Sequence, residues 1–87
     1  MKHVVCSVYD AQAKAFARPY FAVSNVAGQR MFFEACADTN TDLNKYPEDY
    51  VLYQVAEFDD SDGVFQNIVP PERICGAVEA PHLEKGK

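Results

Sequence analysis

The first part of the chain alternates between apolar and polar positions in two extended runs. Residues 3–9 place Val4, Cys6 and Val8 on one side of a strand, and β-branched residues dominate this run. Residues 10–12 form a weak turn. Residues 13–23 follow, and Pro19 with the strict alternation favours an extended edge strand over the helix that three alanines would also allow. The two runs predict an antiparallel hairpin.

The spacing of apolar residues becomes helical after residue 24. An apolar stripe is formed by Ala27, Met31, Phe32, Ala35 and Cys36. Ser24-Asn25 is a helix-start signal, and we expect the Asn25 side chain to cap the free N–H groups of the first turn. The pattern predicts a helix over residues 25–37 that lies across a sheet, and then a polar loop over residues 38–45.

The second half of the chain predicts another hairpin. Residues 50–58 are the clearest strand, residues 59–63 are a turn in which Gly63 supplies a positive φ, and residues 64–69 return as the partner strand. Pro70-Pro71 is expected to end that strand, and residues 72–80 are expected to be helical rather than extended.

These elements predict an α+β fold of order ββαββ with a short C-terminal element. Its two antiparallel hairpins form a sheet of about four strands, and the single helix packs on one face. The length of 87 residues leaves room for one domain, assigned to residues 1–80, with a polar tail over residues 81–87. Five Tyr and six Phe exceed the needs of one small core, so some rings should face outward as a stacking or interface surface.

Other features of the composition bear on location. No apolar run approaches the ~18 residues of a membrane span, and the N-terminus turns polar by Ser7, which does not fit a secretory leader. The three widely spaced cysteines are expected to be free thiols in a reducing cytosol.

The net charge of −5 is unevenly distributed along the chain. Residues 1–45 hold five basic and four acidic side chains, a net +1, whereas residues 46–87 hold three basic and nine acidic side chains, a net −6. The first half can therefore present a basic face even though the whole chain is acidic, a balance that otherwise disfavours nucleic-acid binding.

The extended run from residue 13 to residue 20 is the most informative stretch for function. Lys14, Phe16, Arg18 and Tyr20 would project from one face of an extended strand, and the alternation of cations and rings suits a single-strand binder that neutralises phosphates and stacks on bases. An edge strand with its rings in the core and its charges protecting the edge is the alternative.

Three further residues extend this predicted nucleic-acid track: Arg30, Lys45 and Tyr46. The tyrosines near the entry to the fourth strand also fit a purely structural role, in which they brace the loop. Both interpretations of that segment remain open at the level of the sequence.

The sequence does not predict catalysis, a metal site or a cofactor. The acidic turn resembles a calcium loop, but alignment on its glycine places Phe58 and Val69 at ligand positions. His3 and Cys6 are three apart on a strand and point to opposite faces, so they cannot share a zinc ion. No nucleophile lies next to a base, and we expect the protein not to be an enzyme.

A family resemblance rests on motifs spread over about residues 3–80. The motifs are Tyr9-Asp10 with Ala13 and Phe16, Pro19-Tyr20, Asn25, Ala27, Arg30, Lys45-Tyr46-Pro47-Glu48-Asp49-Tyr50, Leu52-Tyr53, and Phe58-Asp59 with Gly63. Together they resemble the small nonstructural protein of gokushovirus-type microviruses, tailless bacteriophages with circular single-stranded DNA. The resemblance implies a DNA-binding protein of the host bacterial cytoplasm that helps switch replication from the double-stranded form to single-stranded genomes.

Two functions from different classes follow. In the first, a dimer binds single-stranded DNA through the residues named above. In the second, the acidic second half is a protein-interaction module that meets a basic surface on a viral replication initiator or a host replication protein.

Overall fold

A computed structural model describes residues 1–81, so most of the predicted tail, residues 82–87, lies outside the described part of the chain. The strands are β1 (Lys2–Asp10), β2 (Ala15–Phe16), β3 (Tyr20–Ala22), β4 (Tyr50–Asp59) and β5 (Val64–Gly76). The helices are α1 (Asn25–Ala37) and the short α2 (Asp42–Lys45), and single 3-10 turns cover Pro47–Asp49 and Ala77–Glu79. No described helix has the length and apolar character needed to cross a membrane.

The sheet is antiparallel throughout, with β1 and β4 at its centre. Its order is β2-β1-β4-β5, and β3 pairs with the same edge of β1 that β2 uses further along. α1 packs on one side of this sheet. The predicted α+β class, with two hairpins and one principal helix, is confirmed.

α1 has the bounds that the apolar spacing predicts, but its cap and its buried stripe differ. The Ser24 side chain, not that of Asn25, accepts a hydrogen bond from the Ala27 N–H at 3.1 Å. Asn25 is already the first helical residue, so its side chain cannot occupy the cap position. The helix buries Gly28, Phe32 and Cys36, whereas Met31, which the sequence assigned to the core, is 46% exposed.

The core lies between α1 and the sheet and is built from small and medium side chains. Its buried members are Cys6, Phe32, Cys36, Leu52, Cys75, Ala77 and Ala80. Gly28 allows α1 to approach the sheet closely, because a Cβ at this position would lie 2.7 Å from the Sγ of Cys6.

β5 continues past the prolines that were expected to end it. Asn67 pairs with Ala56 and Glu72 pairs with Gln54, so residues 68–71 form a bulge opposite Val55. A bulge on an edge strand tolerates proline, since no ladder hydrogen bond is required there. Residues 72–76 are therefore extended, and the predicted helical element is reduced to the turn at Ala77–Glu79.

Two connections also differ from the sequence-based expectation. The first hairpin turns through residues 11–14, with Lys14 at a φ of 55°, so the second extended run starts at Ala15 rather than at residue 13. The predicted polar loop before the fourth strand contains α2, whose N-terminus is capped by the Thr41 side chain accepting from the Asn44 N–H at 3.2 Å.

Candidate nucleic-acid interface

The strand register divides the sheet into two faces. Cross-strand partners in an antiparallel sheet project to the same side. Cys6 pairs with Tyr20 and Gln54, and this row faces α1 together with the core. The opposite rows form what we call the outer face, which consists of His3, Val5, Ser7, Tyr9, Phe16, Phe21, Val51, Tyr53, Ala56, Phe58, Phe65, Asn67 and Arg73.

The first ring cluster of the outer face joins three strands. The ring centroids of Tyr9 and Phe16 are 4.9 Å apart, those of Phe16 and Tyr53 are 5.5 Å apart, and those of Tyr9 and Tyr53 are 6.4 Å apart. The rings meet in tilted or edge-on arrangements, which are the favourable ones for aromatic pairs. Phe16 remains 46% exposed, so part of its ring is open to solvent.

The second ring cluster lies toward the other end of the same face. Phe58 and Phe65 are cross-strand partners with centroids 4.7 Å apart, and Phe21 lies 5.6 Å from Phe58 and 6.1 Å from Phe65. Phe21 and Phe65 are 49% and 53% exposed. Soluble monomers rarely expose several neighbouring aromatic rings on one face, and exposed apolar patches commonly mark binding sites.

The carboxylates of the strands lie on the other side of the sheet. Asp10, Glu57, Asp59 and Glu72 all belong to rows that face α1, and among the paired residues of the described strands the outer face carries no Asp or Glu. The negative charges of the paired strand residues are thus concentrated on the α1 side of the sheet. This arrangement lowers the electrostatic repulsion that a polyanion on the outer face would meet, although Glu79 and Asp60 still contact outer-face residues at its margins.

Two outer-face residues with basic side chains are held by acidic partners. The Arg73 guanidinium donates to Glu79 at 2.6 Å, and this hydrogen bond raises the pKa of Arg73. The imidazole of His3 lies 2.8 Å from the Asp60 carboxylate. Arg73 is also the cross-strand partner of Tyr53, so a cation borders the first ring cluster.

Tyr20 does not share a face with Phe16, contrary to the sequence-based expectation. Phe16 pairs with Tyr9, but Tyr20 pairs with Cys6 instead of Val5, so the edge changes register by one residue between β2 and β3. The hydroxyl of Tyr20 donates to the Gly28 carbonyl at 2.8 Å, and burial raises the pKa of this hydroxyl. Tyr20 is therefore part of the helix–sheet packing and is not available for stacking on bases.

The predicted cations fall into two groups. Lys14 and Arg18 are exposed in the segments that flank Phe16, at the edge of the sheet. Arg30 is exposed on α1, and Lys45 is the last residue of α2, so neither belongs to the sheet edge that carries Phe16. Of the predicted track, only Lys14, Phe16 and Arg18 belong to one continuous exposed segment at the edge of the sheet.

Tyr46 lies in an acidic environment. Its ring is 53% exposed, and it borders a cavity that is also lined by Asp10, Asp42 and Asp49. A phosphate next to these carboxylates would be repelled, so we leave Tyr46 out of the candidate interface.

Five rings of the outer face were missed by the sequence reasoning: Tyr9, Phe21, Tyr53, Phe58 and Phe65. One signal was present, because Phe58 and Phe65 flank the predicted turn and must be close to each other in any hairpin. The other three depend on pairing between β1, β3 and β4, which the local pattern does not specify.

Reactive groups lie elsewhere and are shielded. Cys6, Cys36 and Cys75 are all buried, and desolvation raises the pKa of Cys36 and Cys75 to about 11. His3 and Cys6 project to opposite faces, as the strand pattern predicts. Within residues 1–81, no group of three or more His, Cys, Asp or Glu side chains is arranged to hold a metal ion. The outer face itself offers aromatic rings and hydrogen-bonding side chains.

Comparison with models of protein families gives a match over most of the chain. A family model described as "Phage ORF5 protein" matches residues 3–80. The chain belongs to the phage ORF5 protein family. No curated protein and no solved structure matches the chain. Because the match spans β1 to the last 3-10 turn, both ring clusters lie inside the ORF5 family region.

Proposed function

We propose that this phage protein binds single-stranded DNA across its outer face. We further propose that it is the nonstructural protein of a microvirus-type phage and helps switch replication from the double-stranded form to single-stranded genome synthesis. The observation that supports DNA binding most directly is the pair of exposed ring clusters on a sheet face to which no paired Asp or Glu of the described strands projects.

Base stacking is the main source of affinity in this proposal. Sheets that present aromatic side chains bind single strands because every base has a π-face, and each stack contributes ~1–3 kcal/mol. Tyr9 and Val5, the β1 residues at the level of the two clusters, are four positions apart, which corresponds to roughly 13 Å along a strand. Each cluster would therefore contact a different part of the bound strand.

Phosphate contacts are few in this arrangement. Lys14 and Arg18 at the sheet edge and Arg73 beside Tyr53 are the cations nearest to the first ring cluster in sequence or register. With about three phosphate contacts, the logarithm of the affinity should fall with the logarithm of salt concentration with a slope of roughly −2. Base stacking would therefore contribute more to the binding free energy than the phosphate contacts do.

The test is fluorescence anisotropy with a labelled single-stranded oligonucleotide. Phe16→Ala, Phe21→Ala and Phe65→Ala should each raise the Kd by roughly 5- to 150-fold, the equivalent of one lost stack. Tyr46→Ala is the matched control, since its ring is as exposed as these but lies among carboxylates, and it should leave the Kd unchanged. Circular dichroism checks that each variant is folded.

A charge-reversal variant tests the edge cations separately. Lys14→Glu combined with Arg18→Glu should weaken binding at moderate salt, because two phosphate contacts become repulsive. If the three Phe variants and this double variant all bind as tightly as the wild type, the outer face is not a DNA-binding surface.

The alternative function, a protein-interaction module formed by the acidic second half, has weaker support. Part of its charge is already balanced within the chain, since the Met1 ammonium lies 2.7 Å from Asp60 and the Lys2 ammonium lies 3.7 Å from Glu57. A replication-protein partner would be recovered from infected cells in a complex that survives nuclease treatment. Recovery that depends on intact DNA would support the first proposal instead.

A further inference from the structure

The solvent side of α1 carries an apolar stripe next to an open groove of about 600 Å³. Val26, Phe33 and Ala37 form the apolar part of the lining, and Val26 is 70% exposed. Positions 26, 33 and 37 share one side of α1, which is the arrangement of a helix that packs against another helix. Pro81 borders the groove on one side.

Two opposite charges border this stripe. Arg30 and Glu34 are one turn apart and exposed, and neither forms an ion pair within 4 Å inside the described part of the chain. A second α1 packed antiparallel, with the two-fold axis at the level of Phe32, brings Arg30 opposite Glu34 of the second copy. The same operation brings Glu34 opposite Arg30 of the second copy, so one axis satisfies all four charges.

We propose that α1 is the dimer interface of this protein and that its occupant is α1 of a second copy. The apolar stripe supplies the buried contact, and the two reciprocal Arg30–Glu34 pairs set the antiparallel orientation and the register. The arrangement is isologous, because each copy uses the same residues, and it is therefore closed at two chains.

This dimer leaves the outer face open on both chains. α1 covers the side of the sheet opposite to the ring clusters, so contact through its solvent side does not obstruct them. The inference rests on α1 alone and stands or falls independently of DNA binding.

The test is sedimentation velocity over a concentration series of the full chain. The wild type should be a dimer, and Arg30→Glu or Glu34→Arg alone should weaken dimerisation about tenfold or more, because each change makes two attractive pairs repulsive. The double variant with both changes should dimerise again. An equimolar mixture of the two single variants should form a heterodimer, a result that an effect within one helix cannot produce.

Two further variants complete the design. Lys45→Glu changes the net charge by the same amount as Arg30→Glu but lies off the stripe, so it should leave the dimer intact. Val26→Asp should give monomers with an unchanged helix signal in circular dichroism. A monomeric wild type at high concentration, or a dimer that tolerates Arg30→Glu and Val26→Asp, would overturn the proposal.

Discussion

A methyl group added at Gly28 tests the contact that determines which sheet face is covered. The Cβ of Gly28→Ala would lie 2.7 Å from the Sγ of Cys6 and 3.6 Å from the Cβ of Ala22. Cys6 is fully buried on the central strand β1, so its sulfur cannot move out into solvent. Either α1 or β1 must shift to relieve the contact.

Two opposing contributions decide the sign of the effect. Overpacking of a tight core costs ~1–3 kcal/mol, whereas alanine is favoured over glycine within a helix by ~1 kcal/mol. We therefore expect the free energy of unfolding to fall by about 1 kcal/mol. Without the close approach, the same change would raise it by about 1 kcal/mol, so the sign alone is informative. In a domain of this size, a change of 1 kcal/mol shifts the Tm by roughly 4–8 °C.

Urea unfolding followed by circular dichroism measures the effect, and Cys6→Ala supplies the second arm of a double-mutant cycle. In the Cys6→Ala background the sulfur is gone, so Gly28→Ala should become neutral or stabilising. A stabilising effect in the wild-type background would mean that α1 does not approach β1 as described.

Three further predictions concern groups on the helix side and at the end of the sheet. Tyr20→Phe should lower the free energy of unfolding by ~0.5–1.5 kcal/mol through loss of its hydrogen bond, and it should leave the Kd for an oligonucleotide unchanged. A large loss of affinity would mean that Tyr20 does contact the bound DNA. At pH 8, Cys36 and Cys75, with a pKa of about 11, should not react with an aromatic disulfide reagent until urea unfolds the chain, and fast labelling of native protein would contradict their burial. The pKa of Glu79 is held below its ordinary value of 4.5 by the Gly76 N–H and by Arg73. The stabilising contribution of the Glu79 carboxylate is therefore present above pH 4.5 and is lost as the pH falls through the lowered pKa. Glu79→Gln should remove this part of the acid sensitivity in a pH series of thermal melts.

The elements that the sequence predicted well are those fixed by local pattern. The helical spacing after Ser24 gave α1 with its observed bounds, and the alternation in residues 3–9 and 50–58 gave β1 and β4. The acidic turn with Gly63 gave the second hairpin, and Gly63 has the expected positive φ of 74°. In each case a single segment contains the whole signal, so tertiary pairing is not needed to find the element.

The faces of the strands could not be predicted with the same success. A one-residue change of register moves every later side chain to the other side of the sheet. Such changes occur between β2 and β3, at Val55, and between Leu52 and Tyr53, and each depends on the pairing of two strands that the local pattern does not specify. The predicted alternation of Lys14, Phe16, Arg18 and Tyr20 fails because Lys14 belongs to the turn and because the register changes between Phe16 and Tyr20.

In the proposed DNA complex, the separation of charge across the sheet would allow an acidic chain to offer a surface to a polyanion. Side chains on opposite faces of a sheet end on the order of 10 Å apart, which is close to the Debye length at physiological salt. Repulsion from Asp10, Glu57, Asp59 and Glu72 is therefore largely screened at the outer face under those conditions and returns at low salt. Added salt weakens the few phosphate contacts, which lowers the affinity, and it also screens this repulsion, which raises the affinity. Stacking on the ring clusters does not depend on salt in either way. In the proposed complex, affinity should therefore depend on the rings more than on the cations.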